Sequence, residues 1–446
     1  MKILHTSDWH FGRRIHQADL TPAFELWGQH VIHTVDTHGV NAVLISGDVF
    51  DRAIAPQEML VLFSEILGKL LERTQVVVTS GNHDSATRLG FLSQFTAPNL
   101  HIRTDPRSAH LPVHLYNAHG ELGALCYPIP FLDPFDVDSW AIDYSERLAP
   151  RTQEGAMAVV LRRIASAIEN DDTSNKTIPR IAMAHTFCIP AQKDRSPEGA
   201  AKDCASQSAI AGGVDAVPSH YFRLGAPDIG PLDYVALGHL HGMHKAGTND
   251  DPDIRYSGSP IAFSFSEEDQ VKGSLIIEFP ERAACSTSSA EDFAAGDVPS
   301  IPHDSGDGGN LGANDDSSDS RIPHSVTFVP APIFRPLKTL EGTLDDVLSP
   351  ENERYADSFT RIYITDPSRP DHLFHRLEQK YRHLLHVEHL TSPIDAQAQL
   401  ATLARQQPED MILEFFTTMG GRELNDTEKE LIHTAWKTVE NGKGAQ

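Results

Sequence analysis

Cysteines and long apolar runs are scarce in this chain. Its four cysteines are scattered and form no Cys-x-x-Cys pair, so we expect neither a zinc site nor a disulfide framework, as in a reduced compartment. No stretch approaches the roughly 18 apolar residues that a membrane-spanning helix needs. The start, MKILHTSDWHFG, lacks the apolar segment of a signal peptide. The sequence therefore predicts a cytoplasmic protein without a membrane segment.

Basic residues are also few. Against 62 Asp and Glu the chain has 37 Lys and Arg, and its formal net charge is −25. A chain this acidic repels nucleic acids and other polyanions unless a local positive charge reverses the field. A phosphate substrate would therefore require a local source of positive charge.

Changes in composition along the 446 residues indicate more than one domain. Residues 1–280 alternate short apolar runs with helical patterns, which is typical of an α/β domain. Residues 281–324 are rich in Ser, Gly and Asp, and we expect them to be a disordered acidic insert. Residues 325–405 follow a β-α-β order that predicts a small second domain. Residues 406–446 carry two amphipathic patterns that predict a C-terminal helical pair.

Several predicted strands of the first domain end in Asp, Asn or His. The predicted strands are Lys2–Thr6, Ala42–Ser46, Val76–Thr79, Ile181–Ala184, Tyr234–Leu237 and Leu275–Phe279. The polar residues after the first five are Asp8, His10, Asp48, Asn82, His83, His185, His239 and His241. A surface turn explains one such end equally well, since Gly and Asn are common turn residues. However, open α/β sheets bind ligands outside the carboxyl ends of their strands, so we expect these side chains to converge.

This set of side chains suits a pair of metal ions. Without His83, seven candidate ligands remain, which is more than one ion needs; two ions roughly 3.5–4 Å apart and bridged by a carboxylate would use them all. Imidazole mixed with carboxylate, without thiolate, favours manganese, iron or zinc over calcium or magnesium. Two divalent ions would also supply the positive charge that a phosphate substrate requires.

Five short motifs carry a family resemblance. In order and spacing, SDWHFG, GDVFDR, SGNHDS, AHTF and GHLH resemble the motifs of the calcineurin-like metallophosphoesterases, and most closely those of the double-strand-break repair nucleases among them. RYSGSP and FRPL further along the chain are also similar to that branch. The resemblance implies an α/β fold: a two-sheet sandwich flanked by helices, with a small α+β capping domain and C-terminal helices.

The resemblance also implies roles for individual residues. One ion would be bound by Asp8, His10 and His241, the other by Asn82, His185 and His239, with Asp48 bridging the two. His83 would donate a proton to the leaving oxygen or stabilise the transition-state charge, and Asp84 would orient its imidazole. Asp51-Arg52 resembles the GDxxDR of protein phosphatases, in which the Arg grips phosphate. A solvated or salt-bridged Arg52 is the alternative to a substrate-binding one.

The activity implied by the resemblance is hydrolysis of DNA phosphodiesters with two divalent metal ions. Mn²⁺ is the ion that we expect first. The enzyme would act as an exonuclease on duplex ends and as an endonuclease on single strands and hairpins. It would form a homodimer within a heterotetramer with an SMC-like ATPase, in DNA repair, recombination and replication. Two alternatives stay open: a phosphatase or cyclic-nucleotide phosphodiesterase of the same superfamily, and an adaptor for the ATPase with a vestigial site.

Two further expectations concern the segments that flank the insert and the C-terminal helical pair. The predicted strands on either side of the insert suggest an elongated hairpin. We expect the C-terminal pair to dock the ATPase, with packing on the second domain as the alternative. Within this pair, Asn425 followed by Glu428 is typical of a capping box at the start of a helix.

Overall fold

The computed structural model describes most of the chain, in two compact units that comprise Met1–Pro336 and Leu337–Gln446. The described residues are 1–91, 93–95, 97–141, 151–170, 178–190, 216–224, 232–280, 321–390 and 425–442. Nearly all of the predicted acidic insert and the whole first tail helix therefore lie outside the described residues.

Strands and helices alternate through much of the described chain. The strands are β1 (Lys2–Thr6), β2 (Arg14–Ile15), β3 (Ala18–Asp19), β4 (Ala42–Ser46), β5 (Gln75–Thr79), β6 (Leu100–Arg103), β7 (Val113–Tyr116), β8 (Leu122–Pro128), β9 (Arg180–His185), β10 (Cys188–Ile189), β11 (Val217–Pro218), β12 (Tyr234–Gly238), β13 (His244–Lys245), β14 (Asp253–Tyr256), β15 (Gly273–Glu278), β16 (Ser325–Pro330), β17 (Leu337–Gly342), β18 (Phe359–Ile364) and β19 (His383–His389). The α-helices are α1 (Thr21–His38), α2 (Gln57–Leu71), α3 (Ala86–Leu89), α4 (Pro134–Ala141), α5 (Gln153–Glu169), α6 (Leu344–Val347), α7 (Leu373–Glu378) and α8 (Asp426–Gly442). All six strands predicted for the first domain are present, within one or two residues at each end.

Two six-stranded sheets form the first unit. The first sheet has the order β16-β15-β1-β4-β5-β6 and the second the order β13-β14-β12-β9-β8-β7. In the first sheet β1, β4, β5 and β6 run parallel, and in the second β8, β9, β12 and β14 do. The central strands read as continuous apolar runs because parallel strands of this kind are covered on both faces.

The two sheets pack face to face over a shared apolar core. Ile3, Leu44 and Val77 of the first sheet belong to the same buried cluster as Met183 and Ala236 of the second. Their side chains point into this core because residues two apart along a strand share a face. This arrangement confirms the predicted two-sheet sandwich.

Helices flank the sandwich. On the side of the first sheet, α1 packs against α2 and α2 against β5, and Trp9 lies against Trp27 and Phe63 with ring centroids 5.7 and 6.0 Å apart. The helix α1 ends at Gly39, whose φ of 63° is the left-handed conformation that glycine adopts without strain. Against the second sheet, α5 buries Val160 and Ile164, each contributing roughly 1.5–3 kcal/mol.

The strand after the predicted insert belongs to the first unit. Over its whole length β16 pairs antiparallel with β15, which confirms the hairpin expected on either side of residues 281–324. The predicted start of the second domain at residue 325 is therefore wrong: the division lies between Pro336 and Leu337, because sheet pairing holds residues 325–330 in the first unit.

The second unit contains a three-stranded parallel sheet, β17-β18-β19. Its core includes Ile362 of β18, Leu344 of α6 and Leu377 of α7, so helices pack on the sheet as the β-α-β pattern predicts. At the start of α8, Asn425 and Glu428 exchange side-chain to backbone hydrogen bonds of 2.9 Å in both directions, which confirms the capping box. None of the helices in the described ranges is both long and apolar enough to span a bilayer.

Candidate metal centre

The predicted ligands lie at one edge of the sandwich because their strands run parallel and are neighbours. In the first sheet β1, β4 and β5 are adjacent, and in the second β9 and β12 are adjacent. Their carboxyl ends therefore meet, and the loops that follow them carry the eight Asp, Asn and His side chains singled out from the sequence. Asp8, His10, Asp48 and His185 are buried, whereas Asn82 and His83 are exposed.

The backbone at this edge is strained. Asp8, His10, Asp48 and His239 have φ angles of 54°, 46°, 50° and 105°, a region that side chains with a Cβ rarely adopt. Such conformations cost about 1–3 kcal/mol each and persist where the surrounding structure imposes them. Four strained residues in one cluster indicate that the side chains are aimed at a ligand at some expense of stability.

A glycine allows the loops to approach one another. A Cβ at Gly81 would collide with the side chain and backbone of Asp48. The loop after β5 can therefore lie against the loop after β4 only because this residue has no side chain.

Asp8, His10 and His241 form the first ligand group. Their ligand atoms all lie within 4.8 Å of one another, and the Nε2 atoms of His10 and His241 are 3.1 Å apart. The Asp8 carboxylate accepts hydrogen bonds from the Ser7 hydroxyl at 2.5 Å and from the backbone N–H of His239 at 3.1 Å. The sequence-based assignment of these three residues to one ion agrees with this geometry.

Asn82, His185 and His239 form the second group. The Asn82 Oδ1 atom lies 3.1 Å from both His185 Nε2 and His239 Nδ1. At the opposite ring atom, His185 Nδ1–H donates to the Ser46 carbonyl at 2.9 Å. When the ring is neutral, that bond fixes the tautomer of His185 and leaves its Nε2 lone pair facing the cluster.

Asp48 lies between the two groups. One oxygen, Oδ2, is 3.5 Å from His10 Nε2 and 3.4 Å from His185 Nε2. The other, Oδ1, accepts the backbone N–H of His83 at 2.9 Å. A carboxylate with one imidazole nitrogen of each group beside it has the placement expected of a bridging ligand.

The donor set fits two divalent cations. Lone pairs of imidazole nitrogens and carboxylate oxygens converge at 3.1–3.5 Å, and such atoms repel one another unless a proton or a cation lies between them. Mixed imidazole and oxygen donors are those that first-row divalent ions prefer. The buried Nδ1 atom of His10 has no hydrogen-bond partner in the described residues, and the Asp51 carboxylate lies 3.8 Å from it.

Burial and mutual charge dominate the ionisation of this cluster. Burial lowers the pKa of His239 to about 3, and it also holds the pKa of His10 well below its usual value. At His185 burial also lowers the pKa, but the Asp48 and Asp8 carboxylates and the Ser46 carbonyl together outweigh it and raise the pKa of His185 to about 9. Two imidazoles held neutral, and one whose protonated form is stabilised by an ionised carboxylate, indicate a site built to hold positive charge.

The role predicted for Asp84 is wrong. Its carboxylate accepts the backbone N–H groups of Val49 at 3.1 Å, Phe50 at 2.9 Å and Gly81 at 2.9 Å. The Nδ1 atom of His83 instead lies 2.9 Å from the carbonyl oxygen of Asp51. Asp84 therefore ties the loop that carries Asp48 to the loop that carries Asn82, and a backbone carbonyl orients His83.

Arg52 lies at the surface. Its side chain is 66% exposed, and its Nη2 is 3.8 Å from the Asp51 carboxylate. This is the salt-bridged alternative considered from the sequence, and contact between Arg52 and a substrate stays a prediction.

Sequence reasoning missed two residues beside the centre. The Glu267 carboxylate is 3.2 Å from His241 Nδ1, and it is also 2.6 Å from the Lys272 ammonium. Both side chains are buried. The segment SEEDQVKG reads as an exposed charged loop, so no local signal distinguishes Glu267 and Lys272 from their neighbours.

Comparison with known proteins places the chain in a family. The model of the calcineurin-like phosphoesterase family matches residues 1–243, more than half of the chain, and the protein belongs to this family. A second model, described as the type 5 capsule protein repressor C-terminal domain, matches residues 333–419.

Among individual relatives, the chain is similar to proteins that are named as a subunit of the nuclease SbcCD. The relative from Escherichia coli (strain K12) is 29% identical over 284 residues, which cover 63% of this chain and 65% of that protein, slightly less than two thirds of its length. The relative from Staphylococcus epidermidis is 23% identical over 442 residues, 97% of both chains. A solved structure, GAP50 of Plasmodium, covers 62% of this chain and 80% of its own at 13% identity and a TM-score of 0.32.

Proposed function

We propose that the protein is a metal-dependent DNA nuclease that hydrolyses phosphodiesters at a dinuclear centre. The observation that carries this proposal is the convergence of six ligand side chains in two groups, with Asp48 as the seventh between them. The relatives from E. coli and S. epidermidis are both named as a subunit of a nuclease, and this supports nucleic acid as the substrate class.

The metal ions are Mn²⁺ in this proposal; imidazole and oxygen donors without thiolate suit this ion, as they suit iron and zinc. Asp8, His10 and His241 would hold one ion, Asn82, His185 and His239 would hold the other, and Asp48 would be shared by both. When bound, the ions supply Lewis acidity and the positive charge that draws a phosphate to an otherwise acidic chain.

His83 serves as the acid beside the metals. Its Nδ1–H donates to the Asp51 carbonyl, so its Nε2 carries a proton only when the ring is an imidazolium. In that form Nε2–H donates to the leaving oxygen or to the developing negative charge, which is general acid catalysis. His83 is exposed, so an incoming strand can reach it without movement of the core.

The names of the relatives support a partner subunit. We infer that the protein acts with an SMC-like ATPase of the SbcC type, as a homodimer within a heterotetramer, in DNA repair, recombination and replication in the cytoplasm. In this proposal the second domain, predicted from the sequence at residues 325–405, binds DNA, and residues 406–446 dock the ATPase. The acidic insert takes no part in hydrolysis.

One side-by-side assay tests the proposal. Purified protein with Mn²⁺ is given duplex DNA, single-stranded DNA and a generic phosphate monoester, and each reaction is repeated with chelator. We expect chelator-sensitive cleavage of DNA and little release of phosphate from the monoester. Faster turnover of the monoester would indicate a phosphatase, and a purified protein that binds no metal and cleaves nothing would indicate an adaptor.

A further inference from the structure

A buried carboxylate holds one of the metal-facing imidazoles. Glu267 Oε1 is 3.2 Å from Nδ1 of His241. With Nδ1–H donating to this carboxylate, the lone pair of His241 lies on Nε2. That atom faces Nε2 of His10 at 3.1 Å, so Glu267 selects the tautomer that presents a lone pair to the first ligand group.

Other described residues hold the Glu267 carboxylate in place. It accepts hydrogen bonds from the Phe263 backbone N–H at 3.3 Å and from the Ser264 hydroxyl at 3.2 Å. The Lys272 ammonium lies 2.6 Å from Glu267 Oε2, whereas His241 is beside Oε1. Only 6% of Glu267 is exposed, so the carboxylate has no solvated position to relax into.

Lys272 holds the same histidine by its backbone. The Lys272 ammonium donates to the carbonyl of His241 at 2.8 Å, to the Ser259 hydroxyl at 3.1 Å and to the Gln270 side-chain oxygen at 2.8 Å. Glu267 thus hydrogen-bonds to the ring of His241 and Lys272 to its backbone carbonyl. Glu267 and Lys272 also form an ion pair with each other.

Stability alone is a poor explanation of this pair. The free energy needed to desolvate two charges is about as large as the free energy gained from their attraction. Replacing such a pair by well-packed apolar residues often leaves the stability of the protein unchanged or increases it. A carboxylate on the far nitrogen of a metal-binding histidine, by contrast, fixes the ring and strengthens the ligand, and its loss typically weakens metal binding about 10–100-fold.

We propose that Glu267 and Lys272 are positioning residues that hold His241 as a ligand of the first metal site. This inference rests on the proposed dinuclear centre and adds to it the elements that set the affinity of one of its two ions. In the second ligand group, His185 is oriented by a different residue, since its Nδ1–H donates to the Ser46 carbonyl. The two sites should therefore respond separately to changes in the Glu267–Lys272 pair.

The test compares manganese affinity with stability in the absence of metal. The main variant combines Glu267→Leu with Lys272→Met, which removes both charges together. Glu267→Gln is the conservative variant, because its amide oxygen can still accept from His241 Nδ1–H. Asp269→Asn removes one exposed charge from the same segment and serves as the matched control. Chelator competition gives the two Mn²⁺ affinities, and thermal unfolding in excess chelator gives the stability of the metal-free protein.

We expect the double variant to bind one of two Mn²⁺ ions about 10–100-fold more weakly and to unfold in chelator within a few degrees of the unmodified protein. Glu267→Gln should show a smaller loss at the same site, and Asp269→Asn none. Two unchanged affinities in the double variant would overturn the inference, as would an equal loss at both sites. If the double variant fails to fold, Glu267→Gln alone tests the inference. An unchanged Mn²⁺ affinity in Glu267→Gln then overturns the inference. An unmodified protein that binds fewer than two ions would instead contradict the proposed function.

Discussion

Asp84→Ala separates two roles for one carboxylate. The side chain accepts three backbone N–H groups, of Val49, Phe50 and Gly81, at 2.9–3.1 Å. Removing it leaves these donors without their partner and releases the loop after β4 from the loop after β5. Because the first loop carries Asp48 and the second carries Asn82, we expect both stability and metal binding to suffer.

The magnitude follows from the three bonds. A hydrogen bond to a charged group contributes about 1.5–3 kcal/mol. Burial offsets part of this gain, since it raises the pKa of Asp84 to about 6, and water can reach some of the freed donors. We expect a net loss of about 2–4 kcal/mol in the free energy of unfolding.

Urea unfolding in chelator measures this loss, and elemental analysis measures metal retained after dialysis. Asp84→Asn is the control, because it keeps an acceptor oxygen for some of the three donors and should lose less on both counts. We expect Asp84→Ala to retain less metal than the unmodified protein. If it keeps its stability and both metal ions while turnover alone falls, the carboxylate acts on His83 after all and our reasoning is refuted.

Three further predictions concern the centre and the core. Asp48→Ala should lose metal and hydrolysis together, and two ions per chain by elemental analysis would exclude a bridging role. His83→Gln should retain metal and DNA binding while turnover falls about 10²–10⁴-fold; loss of metal would show that His83 is a ligand. His5 is buried, with its ring nitrogens 3.0 Å from the Tyr234 hydroxyl and 3.1 Å from the Leu237 carbonyl, and burial lowers its pKa from 6.5 to about 3. The unfolded chain therefore gains a proton at this residue first, so its contribution to stability is complete above pH 6.5 and is lost progressively down to about pH 3. His5→Gln, compared with the unmodified protein in chelator, should reduce the loss of stability between pH 7 and pH 5 by about 2 kcal/mol; identical pH profiles would contradict this.

Local patterns were sufficient to single out the candidate ligands. Each is a polar residue at the end of, or within four residues after, a strand that reads as an apolar run, and parallel neighbouring strands bring such ends together. The hydrogen-bonding groups of Asn425 and Glu428 are similarly local, which is why the capping box was predictable. These features depend on residues a few positions apart.

The remaining features depend on contacts between distant segments. Composition placed the second domain at residue 325, but β16 pairs with β15 across the insert. Proximity in sequence suggested that Asp84 orients His83, yet the nearest donors to its carboxylate include Val49 and Phe50, more than thirty residues earlier.

Glu267 and Lys272 show the same limit most clearly. Their segment is charged and looks solvated, and nothing in its spacing relates it to His241. Sequence by itself determined which side chains are candidate metal ligands, because strand ends are local. Tertiary structure decided what holds those side chains in place, because a buried carboxylate or carbonyl acts on whichever group the fold brings within about 3 Å of it.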